Sequence, residues 1–216
     1  MIDFTCPQCQ SAFSVPDHLG GRRARCRKCG TPITIPAAPA NHNNAVQDVL
    51  VEHEPHGPRL SPRQRRLRAD ADQMRQAFGN FPVIKIRSTN GEPPDSYIVE
   101  YFVKGLERIP GRKEPIERHY HLAEIRLISE YPRLGPQCKM LTPCFHPNIE
   151  PATICVGDHW TAGERLVDLV VRIGELITYQ AYNIKSPLDG EAAMWADLHM
   201  KDLPIDDRNL RPPELD

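Results

Sequence analysis

Four cysteines near the amino terminus form two C-x-x-C units, and their spacing is that of a metal site. Cys6 and Cys9 make the first C-x-x-C pair, Cys26 and Cys29 make the second pair, and sixteen residues separate the two pairs. Each unit offers two thiolates from one tight turn, and Gly30 lets the second turn curl so that its amides face sulfur. The pattern predicts a closed, structural zinc site. A redox C-x-x-C fits less well, because there are two pairs and neither has a strand-helix context.

A second group of reactive side chains lies in a proline-rich stretch without strand or helix periodicity, which contains Cys144, His146, Asn148 and Cys155. Inside a compact domain, such a stretch is more typical of a functional loop than of an idle connection. Cys144, His146 and Cys155 could offer ligands to a second metal, but they lack knuckle turns. A protease dyad of Cys155 with His146 or His159 lacks a third orienting group. Cys144 is interpreted, with Cys138, as a packed core thiol.

The elements that must hold this stretch follow from hydrophobic periodicity. Ser61-Pro62 with Gln64 predicts a capped helix over about 62–79, and Thr161 with Glu164 predicts a second capping box. A second helix is strongly periodic and is expected to end near Ile177. A third helix is expected to be capped by Asp189 and to run to about Met200. Strands are expected at 82–87, 96–104, 121–129 and 139–141, with a turn at Asn90-Gly91 between the first two. The sequence therefore predicts an α+β fold: an amino-terminal helix, a four-stranded antiparallel meander and carboxy-terminal helices.

Composition divides the chain and limits its function. We expect a zinc ribbon at 1–36, a flexible linker at 37–60, a catalytic domain at 61–203 and a tail at 204–216. The linker histidines are interpreted as solvated side chains rather than ligands. With 27 Lys+Arg against 28 Asp+Glu, no chain-wide positive field exists to bind nucleic acid or anionic lipid. No signal peptide or apolar run long enough for a membrane span is present, so we expect a cytoplasmic protein without a membrane partner.

Collinear short motifs give the second domain a resemblance to a known family, over roughly residues 62–200. The motifs are Tyr131-Pro132, Thr142-Pro143, Phe145-His146-Pro147-Asn148-Ile149, Ile154-Cys155, Trp160, Pro187-Leu188 and Ala192-Ala193. This set resembles the ubiquitin-conjugating enzyme family, in a bacterial-type member with an amino-terminal zinc ribbon. The family fold is likewise a helix, a four-stranded meander and further helices. Asn148 precedes Cys155 by one residue fewer than is usual in the family.

The resemblance implies a thioester-transferring acyltransferase with three site residues. Cys155 matches the active cysteine, Asn148 the asparagine that stabilises the oxyanion, and His146 the histidine that organises the loop. Sulfur suits this chemistry because it is both a good nucleophile and a good leaving group. The implied partners are a ubiquitin-like modifier, its activating enzyme, a protein substrate and, where one is needed, a ligase. No organic cofactor is implied.

Two other readings of the function remain open. The domain could be a catalytically silent scaffold, although it retains both Cys155 and Asn148. Alternatively, the basic ribbon and the first helix could bind nucleic acid or an acidic protein, with solvated charge as the plain alternative. The cations concerned are Arg22, Arg23, Arg25, Arg27 and Lys28 in the ribbon and Arg63, Arg65, Arg66, Arg68 and Arg75 in the helix. The polar stretch 104–120 is expected to be a docking insertion or an idle loop.

Overall fold

A computed structural model describes residues 1–37, 60–156 and 160–213. The chain divides into two compact units, and the predicted linker lies almost entirely outside the described residues. In the described part of the chain, no helix combines the length and the apolar character needed to cross a membrane.

The first unit is built from two short antiparallel hairpins. Their strands are β1 (Ile2–Thr5), β2 (Ala12–Val15), β3 (Arg23–Arg25) and β4 (Pro32–Thr34). The small core contains Cys6, Cys26 and Ile33, with Phe4 and Phe13 packed beside it. So few apolar side chains bury too little surface to fold a segment of this size without a further constraint.

The second unit has the predicted architecture of a helix, a sheet and further helices. Its elements in chain order are α1 (Pro62–Phe78), β5 (Ile84–Gly91), β6 (Pro94–Tyr101), β7 (Gly105–Glu107), β8 (Ile116–Arg118), β9 (His121–Arg126), β10 (Gln137–Met140), β11 (Ile149–Glu150), β12 (Thr153–Ile154), α2 (Leu166–Ile177) and α3 (Gly190–Leu198). β5, β6, β9 and β10 form one sheet whose spatial order follows the chain, with antiparallel neighbours. The expected α+β fold with a four-stranded meander is confirmed.

Apolar faces of α1 and α2 pack on this sheet to form the main core. On α1, Leu67, Met74 and Phe78 are buried, at the spacing that places them on one helix face. α2 carries nine buried residues, so only a narrow stripe of it reaches solvent. The helix is therefore a rigid base for the loop that precedes it.

Local signals at the helix ends were only partly correct. The capping box of α1 is confirmed: Ser61 Oγ accepts from the Gln64 amide at 3.2 Å, and Gln64 Oε1 accepts from the Ser61 amide at 2.9 Å. The Asp189 cap of α3 is confirmed too. The proposed box of Thr161 and Glu164 is wrong, because α2 begins only at Leu166; Thr161 and Glu164 make a backbone turn ahead of it.

Two features of the sheet also differ from the expectation. β5 extends through Asn90 and Gly91, so the turn falls at Glu92-Pro93 rather than at Asn90-Gly91. The stretch 104–120 contains the separate β7–β8 hairpin rather than only loop. The carboxy-terminal segment lies on the domain, where Leu210 is buried in the main core beside Gly174.

The arginine-rich face of α1 is partly used inside the fold. Arg63 donates to the carbonyl oxygen of Leu127 at 2.8 Å, and Arg66 donates to both carboxylate oxygens of Asp70 at 2.9 and 3.0 Å. Burial of Asp70 raises the pKa of its carboxyl, which Arg66 and a tyrosine hydroxyl oppose. These arginines are structural, which removes part of the basis for a nucleic-acid surface on α1.

Candidate functional site

The two C-x-x-C units bring their four sulfur atoms together. The Sγ–Sγ distance is 3.7 Å between Cys6 and Cys29 and 3.6 Å between Cys9 and Cys26, and all four sulfurs lie within 4.8 Å of one another. Zn–S bonds of about 2.3 Å in a tetrahedron place neighbouring sulfurs about 3.8 Å apart. The spacing therefore fits one tetrahedral ion and is far longer than a disulfide bond.

Matching backbone turns hold the two cysteine pairs. The Cys6 carbonyl accepts from the Gln10 amide and the Cys26 carbonyl from the Gly30 amide, each at 2.9 Å. Gln10 and Gly30 both have left-handed backbones, with φ of 57° and 73°. The Lys28 amide also donates to Cys26 Sγ at 3.4 Å. The left-handed turn expected at Gly30 therefore has a counterpart at Gln10, although Gln10 is not a glycine.

Metal removal is expected to unfold the first unit alone. Ion binding can supply about 10–16 kcal/mol to a small four-cysteine module, whereas its apolar core is slight. A strong chelator should abolish amide hydrogen-exchange protection across residues 1–37. Tryptophan fluorescence should not change, since Trp160 and Trp195 both lie in the second unit.

The matched variants for this experiment are Cys26→Ser, which should behave like the chelated protein, and Lys28→Gln, which should not. Retained protection at residues 1–37 after full metal removal would contradict the role of the ion in folding.

A tight hairpin brings Asn148 and Cys155 together in the second unit. β11 and β12 pair Ile149 with Ile154 and Glu150 with Thr153, which leaves a two-residue turn. The Cys155 amide donates to the Asn148 carbonyl at 2.9 Å, so these two residues are the next pair along the hairpin. Cβ atoms of directly opposite residues lie about 4.5–5.5 Å apart. The short spacing between Asn148 and Cys155 is thus accommodated in the turn, and the two residues stay adjacent.

The three cysteines of the second unit have different surroundings. Cys138 is buried in the main core and Cys144 packs against it, and burial raises the pKa of both thiols to about 12. The expectation that these are packed thiols is confirmed. Cys155 is half-buried and is not part of the apolar clusters formed by the described residues. Of the three, its sulfur is therefore best placed to react.

The Asn148 side chain is held by the loop that follows α2. Its Oδ1 accepts from the Asn183 amide at 2.7 Å, and its Nδ2 donates to the Asn183 carbonyl at 2.9 Å. The residue is only 3% exposed. One N–H of the carboxamide remains outside this pair of contacts, since an amide nitrogen carries two donors.

His146 organises the start of the hairpin and carries no charge. Its Nδ1 accepts from the Asn148 amide at 3.0 Å, and its Nε2 lies 3.2 Å from the Ala181 carbonyl. These partners assign the proton to Nε2. Burial lowers the pKa of the imidazole to about 3, so His146 is neutral at physiological pH and both of its nitrogens are occupied.

The alternatives for this loop fit the geometry less well. With both nitrogens engaged, His146 is not placed as the base of a dyad with Cys155, and His159 lies outside the described residues. Among the described residues, only the four amino-terminal cysteines form a cluster that could hold a metal. The second metal site of Cys144, His146 and Cys155 is therefore not formed.

The Pro-Leu segment is tied directly to the same loop. The Pro147 carbonyl accepts from the amides of Leu188 and Asp189 at 2.7 and 3.0 Å. Asp189 Oδ1 accepts from the Ala192 amide at 3.0 Å and so caps α3. This carboxylate is engaged as a helix cap, and the start of α3 is fixed relative to the hairpin.

Stability of the second unit is expected to fall as the pH falls below about 6.5. Burial lowers the pKa of His146 to about 3 and that of His121 to about 4, so the unfolded chain takes up these protons first. Each histidine then lowers the free energy of unfolding by about 1.4 kcal/mol per pH unit, and this loss is complete near the pKa of the histidine in the folded state. Urea unfolding followed by tryptophan fluorescence at pH 7 and 5 measures the difference.

Comparison with His146→Gln isolates one histidine in this experiment. The variant should lose about 2 kcal/mol less than the wild type between pH 7 and 5. Equal losses in the two proteins would argue against a neutral, buried imidazole at this position.

Comparisons with known proteins point to one family. Residues 104–202 match the family described as ubiquitin-conjugating enzyme. The chain is 33% identical over 92 residues to the SUMO-conjugating enzyme UBC9 of Caenorhabditis elegans, a match that covers 39% of this chain and 54% of that protein. The chain thus spans about half the length of this curated relative.

Two solved structures also give partial matches. The match to a Plasmodium yoelii protein assigned to the ubiquitin conjugating enzymes covers 67% of this chain and 89% of that protein's chain, with 19% identity and a TM-score of 0.48. A Toxoplasma gondii ubiquitin conjugating enzyme covers 64% and 89%, with 17% identity and a TM-score of 0.44.

The region that matches this family lies within the second unit. His146, Asn148 and Cys155 all fall within residues 104–202. The relatives named above are eukaryotic, and the bacterial-type assignment stays a prediction.

Proposed function

We propose that the chain is a conjugating enzyme for a ubiquitin-like modifier, with Cys155 as the acyl carrier. One observation carries the proposal: a half-buried cysteine lies opposite Asn148 across a two-residue hairpin, inside the region that matches the family. The scaffold alternative would not need this pairing. The partners that follow are the modifier, its activating enzyme and a protein substrate, with a ligase where one is required.

The reaction would have two transfers at the Cys155 sulfur. In the first, the Cys155 thiolate attacks the modifier's thioester on the activating enzyme, a new C–S bond forms, and the donor thiolate leaves. In the second, a substrate amine attacks the Cys155 thioester, an amide bond forms, the C–S bond breaks, and the amine proton passes to solvent. Sulfur serves as nucleophile in one step and leaving group in the other.

Asn148 and His146 would have separate roles in this scheme. Negative charge gathers on the carbonyl oxygen during amine attack, and the carboxamide N–H of Asn148 outside its Asn183 contacts is the donor proposed to stabilise it. His146, neutral and doubly hydrogen-bonded, would hold the Asn148 backbone rather than move a proton.

For the first unit we propose a zinc ion at Cys6, Cys9, Cys26 and Cys29. Their sulfur spacing supports this choice, as does the preference of tetrathiolate sites for zinc. A closed four-sulfur shell leaves no position for substrate, so the ion would have a folding role. We propose a cytoplasmic location because the spacing of these thiols fits a metal ion better than disulfides, which form in oxidising compartments.

The experiment that tests the function is a charging assay. The full chain is incubated with candidate ubiquitin-like modifiers, a cognate activating enzyme and ATP, and mass spectrometry locates the adduct. The expected product is an adduct on Cys155 that excess thiol cleaves. Acylation of Cys138 or Cys144 instead, or an adduct that resists thiol, would contradict the proposal.

A further inference from the structure

Arg172 on α2 contacts both described ends of the loop that follows Cys155. Its Nη1 donates to the Val156 carbonyl at 3.0 Å and lies 2.9 Å from Glu164 Oε1. The Glu164 side chain is only 13% exposed, whereas that of Arg172 is 38% exposed. One guanidinium therefore joins the residue after Cys155 to the segment that leads into α2.

The Cys155 backbone lies between two anchored groups as a result. On one side its amide donates to the Asn148 carbonyl at 2.9 Å, and on the other the Val156 carbonyl accepts from Arg172. Because nine of the twelve residues of α2 are buried, Arg172 ties this backbone to a helix that is packed along most of its length.

Glu164 is also held from α1, which fixes the pair with Arg172. Arg66 Nη2 donates hydrogen bonds to the Glu164 carbonyl and, at 3.0 Å, to the Tyr131 hydroxyl. Asp70, which is 2% exposed, accepts from Tyr131 at 2.6 Å. The Glu164 main chain is thus tied to α1 and its carboxylate to α2.

We propose that Arg172 is a positioning residue for Cys155, an inference that rests on the proposed function. Acyl transfer requires the sulfur and the incoming carbonyl to meet within a narrow range of geometry, and a displacement of about 1 Å can cost about 100-fold in rate. The Arg172 contact limits the backbone directly beside the sulfur. Its loss would leave binding of partners intact and lower the rate of the transfer itself.

Arginine suits this role better than lysine. Its planar, rigid guanidinium can hold Nη1 in a fixed direction toward the Val156 carbonyl while its charge faces the Glu164 carboxylate, whereas an ammonium on a flexible stem acts as a point charge. Arg172→Lys should therefore recover only part of the function that Arg172→Met loses.

The test is single-turnover transfer from loaded activating enzyme to the full chain. Arg172→Met should lower the saturating rate about tenfold, which is the loss of roughly one charged hydrogen bond, and change the half-saturating concentration less than about twofold. Arg172→Lys should fall in between. Arg211→Met is the matched control, because Arg211 pairs with Glu175 on the same helix at 3.2 Å and contacts neither end of the loop; it should match the wild type.

Hydrogen exchange supplies a readout that does not depend on activity. Amides of residues 153–156 should exchange faster in Arg172→Met than in the wild type and the Arg211→Met control. If the wild type forms no Cys155 adduct, the proposed function fails, while this measurement still tests the anchoring.

A second variant deals with the carboxylate that Arg172→Met leaves unpaired. Glu164→Leu combined with Arg172→Met removes both charges, and it should show the same rate loss with unchanged tryptophan fluorescence. The inference is overturned if wild-type charging is normal and the saturating rate of these variants is unchanged, if the loss appears only in half-saturation, or if Arg211→Met shows an equal loss.

Discussion

Replacing Cys155 with serine is expected to abolish the thiol-sensitive adduct entirely. A serine hydroxyl is a much weaker nucleophile than a thiolate at neutral pH, so charging should slow by orders of magnitude. Any product that forms should be an oxygen ester that survives excess thiol. Denaturing electrophoresis with and without reductant separates the two kinds of adduct.

Cys138→Ser and Cys144→Ser are the matched controls for this substitution. Their thiols are shielded, with pKa values raised to about 12 by burial, so both variants should retain charging if they fold. Equal loss of charging in Cys144→Ser and Cys155→Ser, with normal tryptophan fluorescence in both, would contradict the assignment of Cys155 as the sole acyl carrier.

The helices and the meander were predictable because their signals are local and repeated. Leu166, Leu169, Val170 and Ile173 on α2 recur at helical spacing, and all are buried against the sheet. The strands likewise follow from β-branched and aromatic runs. Tertiary packing here agrees with the sequence pattern, so element type was predicted better than element boundaries.

The residues of the candidate site were predictable from the sequence for a different reason. His146, Asn148 and Cys155 lie close in sequence, and one two-residue hairpin brings them together. The role of Asn183 was not predictable in this way, because it acts through backbone groups that every residue carries. Only the resemblance around Pro187-Leu188 indicated that this part of the chain approaches the site.

Glu164 illustrates how a local pattern can mislead. Its spacing from Thr161 matches a capping box, yet its carboxylate pairs with Arg172 and its carbonyl with Arg66. Arg66 is distant in sequence and Arg172 lies eight residues further along the chain, and each looks like a solvated charge on an amphipathic helix. A charged residue placed directly before an apolar helix, with an arginine two turns along that helix, is the signal that could have drawn attention to the pair.

The β7–β8 hairpin was missed because its sequence lacks alternation. Its two strands have three residues each, and a charged, proline-containing connection separates them. Leu106 nevertheless anchors it, since this side chain is buried in the small cluster with Phe145 and Tyr179 beside the candidate site. β7 buries Gly105 and Leu106 and β8 buries none of its three residues, which is too weak a pattern to recognise without the fold.

Replacing Asn148 with alanine is expected to keep charging and slow discharge by about 100- to 1000-fold, the usual cost of removing one oxyanion donor. In thioester exchange, the acyl group passes between two similar sulfur atoms. This step therefore depends less on the Asn148 donor than amine attack does. The measurement is a pulse-chase in which the charged protein is isolated and its discharge to free lysine is followed.

Because Asn148 also ties the loop at Asn183, two further variants separate position from catalysis. Asn148→Asp keeps an acceptor for the Asn183 amide but cannot donate when ionised, so it should discharge as slowly as Asn148→Ala. Asn183→Ala leaves the backbone groups that hold Asn148 in place, so it should discharge at close to the wild-type rate. Rapid discharge by Asn148→Asp, or equal damage to charging and discharge in Asn148→Ala, would mean that the carboxamide shapes the loop without stabilising the oxyanion.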